Sequence, residues 1–345
     1  MSTLKKHLAL ALLASSRNRF MKRLALLLFT ATMFGQTPQM PTIRVPVRLV
    51  TLPTLVFSKE GRLIAGLQSA DFRVFDNGRR QPVTLDSAVT PTSVVIAIQV
   101  NQDVRTYVPF IARAGSVVDT LLTGESGETA VVTYGEDVAV VKPFATGDVK
   151  STLTNLAADG AKARMIDAGL RAITILREHP GSRARVLLFI GQPMDIGSAS
   201  SLSALKEQAE RENVAVYALA LPEFGKAFVS DTFSLEGVSR GERGGFRGGV
   251  DLGNLIAVLR RSSHAEKHAD PFSILTAATG GTQLHFRKQK ELEDAIATIG
   301  VELRSAYLLS YYADSTESGY HTVTIEVDMP GAKALARPGY WLSTN

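Results

Sequence analysis

The sequence contains no cysteine among its 345 residues. This absence excludes disulfide bonds, thiol catalysis and cysteine-ligated metal sites, and it also excludes a lipid anchor on a cysteine that follows a leader segment. Long apolar runs are missing as well, because the run from Leu24 to Phe34 is too short to span a bilayer comfortably. Whatever the protein does depends on oxygen and nitrogen chemistry or on surface recognition.

Acidic residues are missing from the first 40 positions, which hold six basic residues. The rest of the chain has 32 basic and 33 acidic residues, so the formal net charge of +5 gives no reason to expect a nucleic-acid partner. Lys22 and Arg23 precede the apolar stretch LALLLFTATMFGQ, as in a secretory signal peptide. We predict a signal region over residues 1–40 with translation starting at Met21, and a secreted, periplasmic or cell-envelope protein. A membrane-anchored N-terminus is the alternative, with membrane contact only through an uncleaved signal segment.

Catalytic motifs are also missing. The G-x-S-x-G match at Gly237–Gly241 falls in a Gly/Arg-rich stretch and does not follow a predicted strand, as a nucleophile elbow must. The chain has no phosphate-binding G-x-x-x-x-G-K-[ST] loop. His264 and His268 stand one helical turn apart, but Glu266 is at the wrong position for a metalloprotease motif. We predict that the protein is not an enzyme, with a hydrolase as the remaining alternative.

The most informative stretch that is present is SVVIAIQVNQD, residues 93–103. Its apolar part has no alternation of polar and apolar residues, which predicts a strand covered on both faces. It then becomes abruptly polar at Gln99, Asn101, Gln102 and Asp103. Because sites in open α/β sheets form beyond the carboxyl ends of the strands, we expect any site to lie here.

The rest of the chain predicts an α/β domain over residues 91–305 with a doubly wound, mostly parallel sheet. Residues 222–270 interrupt it as a flexible insertion, with a Gly/Arg-rich loop at 237–249 whose role the sequence does not give. Residues 41–90 and 306–345 are β-rich, and Asn77-Gly78 predicts a tight hairpin turn. We expect these two end segments to pack together as one flanking β domain.

This alternation resembles a von Willebrand factor type A domain, a Rossmann-like doubly wound fold. Short motifs in the flanks resemble those of the secreted proteins that carry a VWFA-related acidobacterial domain. They are, in chain order, Val56–Gly61, Gly66-Leu67, Asp71-Phe72, Asp76-Asn77-Gly78, Ala278-Thr279-Gly280-Gly281, Glu302-Leu303-Arg304 with Tyr307-Leu308-Leu309, and Ala336–Trp341.

The resemblance implies a metal ion-dependent adhesion site, in which D-x-S-x-S, a Thr and a further Asp hold Mg²⁺ and a partner's carboxylate completes the coordination. Here Gln99 stands at the first Asp position, while Asn101 and Asp103 stand at the two Ser positions. Lys162 falls near the expected Thr, and a lysine about 4 Å from a cation costs several kcal/mol. We therefore expect a degenerate site without a metal, in which Lys162 pairs with Asp103.

The resulting prediction is a secreted, non-enzymatic interaction or adhesion module without a cofactor. Gln99, Asn101, Asp103 and Lys162 are the predicted contacts to an extracytoplasmic protein partner of unknown identity. The alternative is a divalent-metal-dependent adhesin that binds an acidic residue of its partner through Mg²⁺ or Ca²⁺. Its metal ligands would be Asn101, Asp103 and Asp195.

Overall fold

The computed structural model describes residues 48–86, 91–118, 122, 127–145, 149–179, 184–221, 270–313 and 317–342. The predicted signal region, the loop at 237–249 and the pair His264 and His268 lie outside these residues. Of the predicted insertion at 222–270, the described residues include Asp270 alone. The described strands and helices belong to a single compact unit.

A six-stranded sheet forms the centre of the α/β part. Its order is β7-β6-β5-β8-β9-β10, and every neighbouring pair is parallel except β6 and β7, which form an antiparallel hairpin. This is the doubly wound order 3-2-1-4-5-6, whose topological switch point lies between β5 and β8. The strands are β5 (Thr92–Gln99), β6 (Glu128–Tyr134), β7 (Val138–Ala145), β8 (Ala184–Gly191), β9 (Val214–Ala220) and β10 (Gln283–His285).

Helices cover both faces of this sheet. The residues of β5 alternate between two cores: Ile96 and Ile98 pack in one, and Val95 and Ala97 in the other. This confirms the predicted strand with two covered faces. The helices of the first face are α1 (Val108–Val117), α2 (Val149–Thr154) and α6 (Gln289–Ser305), and those of the second are α3 (Met165–Glu178), α4 (Leu202–Arg211) and α5 (Pro271–Thr279).

None of the helices in the described part of the chain has the length and apolar character needed to cross a membrane.

Two four-stranded antiparallel sheets are built from both ends of the chain. Their orders are β13-β1-β11-β4 and β14-β12-β2-β3, and one apolar core contains residues of both. Because β1 pairs with β11 and β2 with β12, the N- and C-terminal segments form a common flanking β sandwich, as the sequence predicts. The strands are β1 (Arg48–Phe57), β2 (Phe72–Asp76), β3 (Arg79–Gln81), β4 (Thr84–Asp86), β11 (Tyr307–Ala313), β12 (Gly319–Val327), β13 (Lys333–Leu335) and β14 (Gly339–Leu342).

Local sequence chemistry explains most element boundaries. Asn77 and Gly78 have φ values of 47° and 78° between β2 and β3, which is the left-handed pair that a two-residue hairpin turn needs. The spacing of apolar residues over Val104–Leu122 predicts a helix that starts at Val104. Helix α1 begins later, at Val108, because Pro109 suits a first helical turn and a short 3₁₀ turn precedes it. The β-prone sequence at 334–342 predicts one continuous strand. This prediction is wrong, since β13 and β14 lie in different sheets.

Candidate functional site

Polar side chains collect at the carboxyl edge of the parallel sheet, where β5 and β8 end beside the switch point. Gln99 is fully buried there and links the two strand ends. Its Oε1 accepts the backbone N–H of Gln192 at 2.6 Å, and its Nε2 donates to Asn101 Oδ1 at 2.9 Å and to Gln192 Oε1 at 3.4 Å. A neutral amide thus joins the ends of β5 and β8 at the position where the resemblance implies a carboxylate.

Asn101 extends this hydrogen-bonded series outward. It is fully buried, and its Nδ2 donates to Asp103 Oδ2 at 3.1 Å while its Oδ1 accepts from Gln99. Asp103 is partly exposed and lies in the 3₁₀ turn at Gln102–Val104. We call Gln192, Gln99, Asn101 and Asp103 the polar chain. Three of its members are buried, and the series ends in a carboxylate at the surface.

The expected ion pair between Lys162 and Asp103 is wrong. Lys162 Nζ lies 2.9 Å from Glu136 Oε2, and Glu136 Oε1 accepts the backbone N–H groups of Ala161 and Lys162. The Lys162 hydrogen bond, together with these backbone donors, lowers the pKa of Glu136 to about 2. Gly160 permits this arrangement, because a Cβ there would stand 2.4 Å from Glu136 Cγ.

Asp195, the third residue of the alternative metal set, anchors the start of α3. Its Oδ1 accepts the backbone N–H of Ile166 at 2.9 Å and the Ser198 hydroxyl at 2.6 Å. Its Oδ2 accepts the Ser198 backbone N–H at 3.4 Å. A carboxylate at a helix N-terminus satisfies backbone donors that otherwise lack partners, so Asp195 has a structural role here.

The hydrogen bonds of Asn101 and Asp195 decide whether a divalent ion fits at this edge of the sheet. Asn101 Oδ1 and both oxygens of Asp195 already accept hydrogen bonds within the protein, which leaves Asp103 as the carboxylate of the set nearest to solvent. No group of three or more histidines and carboxylates with metal-site geometry occurs among the residues that the structure describes. A divalent ion needs several oxygen ligands directed at one point, so the donors present do not fit it.

Apolar side chains flank the charged groups at this edge. Met194 and Ile196 follow β8, and each is 38% exposed. Ile196 pairs with Ala163 by backbone hydrogen bonds, which holds the loop after β8 against the segment that carries Lys162. The Lys162 side chain also lies close to Gly197, where a Cβ would stand 2.9 Å from its Cδ. We call Asp103, Glu136, Lys162, Met194 and Ile196 the edge surface.

A second polar group, which sequence reasoning missed, is buried in the β sandwich. His321 is 2% exposed, and its Nδ1 lies 2.9 Å from Asp76 Oδ1 while its Nε2 lies 3.0 Å from the Glu317 carbonyl oxygen. Tyr311 and Tyr340 donate their hydroxyls to Asp76 Oδ2. The sequence showed only an isolated histidine on a strand, and the partners that bury it lie as far as 245 positions away.

The strand order and the carboxyl-edge loops define a doubly wound α/β protein with a von Willebrand factor type A-like fold. Among solved structures, the chain is similar to BatB of Bacteroides thetaiotaomicron, at 12% identity over 61% of this chain and 98% of that one, with a TM-score of 0.41. It is similar to a von Willebrand factor type A protein of Catenulispora acidiphila, at 11% identity over 86% of this chain and 75% of that one, with a TM-score of 0.46.

A third similar structure is an aerotolerance-related membrane protein of Bacteroides fragilis, at 13% identity over 61% of this chain and 98% of that one, with a TM-score of 0.39. Neither a protein-family model nor a curated protein matches the sequence. The fold class therefore rests on the strand order itself, and the narrower acidobacterial resemblance stays a prediction.

Proposed function

We propose that this protein is a non-enzymatic interaction module that works outside the cytoplasm and binds a protein partner through its edge surface without a bridging metal. The observation that carries the proposal is the polar chain. Gln99 and Asn101 use their amides to satisfy each other and Gln192, so the loops are held in one arrangement without an ion. Pre-organised loops reduce the entropy cost of binding.

The composition of the edge surface supports a protein partner. Met194 and Ile196 are exposed apolar side chains, and Ile196 pairs through its backbone with Ala163, the neighbour of Lys162 in the Lys162–Glu136 pair. Protein interfaces combine an apolar centre, in which methionine is enriched, with a polar rim. Of the predicted contacts, Asp103 and Lys162 belong to this surface. Gln99 and Asn101 are buried, so in this proposal they hold the loops in place and do not touch the partner.

The proposed location rests on the N-terminal sequence, where basic residues precede an apolar run. A complete lack of cysteine is compatible with export. The adhesive role that the resemblance implies belongs to the same proposal, because a surface of this kind can hold two proteins together.

Site-specific photocrosslinking in the producing cells tests the proposal. A photoreactive amino acid at Met194 is expected to capture one discrete extracytoplasmic protein, and the Ile196→Glu substitution is expected to reduce that yield at least fivefold by burying a charge at the contact. The same probe at Val301, which is 39% exposed on α6, is the matched control. It is not expected to capture the protein that the probe at Met194 captures. Identical products from both positions would contradict the edge surface.

The metal-dependent alternative gives a different result in the same system. Its crosslink would disappear when EDTA is added, and calorimetry with Mg²⁺ or Mn²⁺ would show a stoichiometric heat that Asp103→Ala abolishes. We expect the crosslink to survive EDTA and the calorimetric titration to show no such heat. A metal-sensitive crosslink would replace our proposal with the adhesin that uses Asn101, Asp103 and Asp195.

A further inference from the structure

A cavity of about 330 Å³ lies at the opposite edge of the parallel sheet from the edge surface. It opens where β8 and β9 begin and where the β sandwich meets the α/β part. Apolar walls come from both parts of the chain, and the charged lining residues are two arginines and one glutamate, with Asn213, Tyr217 and Thr279 as neutral polar neighbours. The lining includes Leu55, Arg185, Val186, Glu212, Leu303 and Arg337.

Arg337 is a cation without an ionic partner among the described residues. Its Nη2 donates to the Thr51 carbonyl oxygen at 2.9 Å, and its guanidinium stands 5.7 Å from the ring centre of Tyr340. Its buried Nε has no hydrogen-bond partner among these residues. Burial lowers the pKa of Arg337 to about 10, which reflects the cost of holding this charge away from water.

The other charges of the cavity largely cancel. Arg185 Nη1 donates to the Glu212 carbonyl oxygen at 3.1 Å and lies 3.5 Å from Glu212 Oε2. Arg177 approaches the same carboxylate at 3.8 Å from outside the lining. The Glu212 carboxylate is thus already shared between two arginines, and the excess positive charge in the wall belongs to Arg337.

Close backbone contacts fix Arg337 in this wall. Gly280 ends α5 with φ +78°, and a Cβ there would stand 2.6 Å from the backbone N of Arg337. Gly281 lies against the Val216 carbonyl oxygen, 2.0 Å from where its Cβ would be. Two of the short motifs noted in the sequence, Ala278–Gly281 and Ala336–Trp341, therefore meet at the cavity. The contact at Gly280 holds the backbone of Arg337, and the Thr51 carbonyl oxygen holds its guanidinium, so the side chain loses little freedom when it binds a ligand.

From this geometry we infer that the cavity binds a small monocarboxylate with a short apolar body, whose carboxylate pairs with Arg337. A guanidinium offers parallel N–H groups that match a carboxylate, and the pairing would relieve the buried charge. Leu55, Val186 and Leu303 provide apolar contact for the rest of the ligand. The volume lies at the lower end of the range for ligand pockets, which limits the ligand to a small molecule.

The probe for this inference is octanoate, with octanamide as a neutral molecule of nearly the same shape. Ligand-observed NMR and calorimetry on the full chain are expected to show saturable binding of octanoate and at least tenfold weaker binding of octanamide. Arg337→Gln is expected to weaken octanoate binding at least tenfold, and Arg337→Lys to retain part of it. Arg113→Gln, at an exposed arginine that bonds Gln289, is the control and should bind like the wild type.

Two results would overturn the inference: equal binding of acid and amide, or octanoate binding that Arg337→Gln leaves unchanged. A second variant covers the case in which Arg337→Gln does not fold. Leu335→Trp narrows the cavity and leaves the guanidinium in place, so octanoate binding should be lost from a folded protein. If that variant folds and binds as well as the wild type, the ligand does not occupy this cavity. None of these changes touches the edge surface, so either proposal can fail without the other.

Discussion

Glu302 is a buried carboxyl in the core of the α/β part. It lies on α6 and is 1% exposed. Its Oε2 accepts the Thr282 hydroxyl at 3.1 Å, whereas its Oε1 has no hydrogen-bond partner among the described residues. Burial raises the pKa of Glu302 from its ordinary value of 4.5 to about 7, and the Thr282 bond offsets this only in part. The neutral acid is therefore the form that the fold prefers.

This preference makes stability depend on pH. Below about pH 4.5 the carboxyl is protonated in both the folded and unfolded states, so its contribution is fully present. As the pH rises towards 7 the unfolded chain loses the proton first, and the free energy of unfolding falls. We expect Glu302→Gln to raise the free energy of unfolding at pH 8 by on the order of 2 kcal/mol and to change it little near pH 4.5. Urea denaturation at both pH values measures this.

Asp294→Asn is the control for that experiment, because Asp294 lies on the same helix and is exposed. It should change the free energy of unfolding by less than about 0.5 kcal/mol at either pH. An equal effect of Glu302→Gln at pH 4.5 and pH 8 would mean that packing, and not ionisation, determines the cost at this position.

His321 also makes the free energy of unfolding fall as the pH rises. Burial lowers its pKa, but the hydrogen bonds to the Glu317 carbonyl and to Asp76 outweigh burial, so the net shift is upward. A raised histidine pKa gives stability that is present below its ordinary value and is lost as the pH rises through the folded-state pKa. Both buried groups therefore favour folding in mildly acidic solution.

At the scale of elements, the end of α5 packs directly against the backbone of strand β9, because two glycines leave no side chain between them. Gly280 and Gly281 follow the helix directly, and the second approaches the carbonyl oxygen of Val216 in β9. The adjacent Thr279 hydroxyl accepts the Val216 backbone N–H at 2.9 Å. The helix end is thus bonded to the strand on which it packs.

We expect Gly281→Ala to lower the free energy of unfolding by about 3 kcal/mol, because its Cβ would overlap a backbone atom that has no room to move. Gly66→Ala is the contrasting variant: Gly66 has φ +85° and open space around it, so backbone strain alone should cost about 1 kcal/mol. Denaturant unfolding of both variants gives the comparison. Similar losses at the two positions would show that the close contact with Val216 relaxes.

Much of the element pattern could be predicted from sequence because burial on both faces leaves uninterrupted apolar strands. The apolar runs at 185–191 and 213–221 predict the strands β8 and β9 in the same way as the run that forms β5. The sequence also predicts a helix over Pro271–Thr279, and these are the bounds of α5. Capping chemistry explains the accuracy at α5, since Asp270 accepts the Ser273 backbone N–H at 2.9 Å and Gly280 ends the helix. Local signals are sufficient where both ends of an element are marked.

The candidate site was harder to predict because its contacts depend on distant loops. Placing Lys162 near Asp103 followed from the motif alignment, but Glu136 in the β6–β7 turn competes for the same ammonium group. Asp195 was considered as a metal ligand, although its carboxylate is used at the start of α3. No local pattern in the sequence shows with which of several nearby charges a long side chain such as Lys162 forms its ion pair.

For the molecule as a whole, Trp341 joins the sandwich to the α/β part. Its Nε1 donates to Glu210 Oε2 at 3.2 Å, and the Arg211 guanidinium lies 4.2 Å from the centre of its ring. Both partners lie on α4, while Trp341 belongs to β14. Trp341 is the single tryptophan of the chain, so intrinsic fluorescence reports directly on this junction.

We expect Arg211→Ala to shift the Trp341 emission and to lower the free energy of unfolding by about 1 kcal/mol, the size of a partly exposed cation–π contact. The wild type should lose its fluorescence signal and its far-UV circular dichroism at the same urea concentration. In the variant the fluorescence midpoint should come first, because the junction is weakened more than either core. Arg113→Ala is the control, and separate midpoints in that variant too would contradict a specific role for Arg211.

The sandwich also imposes an order on the nascent chain. Its partners are far apart in sequence, with bonds from Tyr307 to Ile64 and from Arg337 to Thr51 that span 243 and 286 positions. The ribosome therefore finishes every strand of the parallel sheet before β11 exists. Until then β1 lacks both neighbouring strands, and its apolar residues Leu52 and Val56 have no finished core to enter. Unpaired strands of this kind are prone to aggregate, so the vulnerable period in synthesis lasts until β11 and β13 have been made.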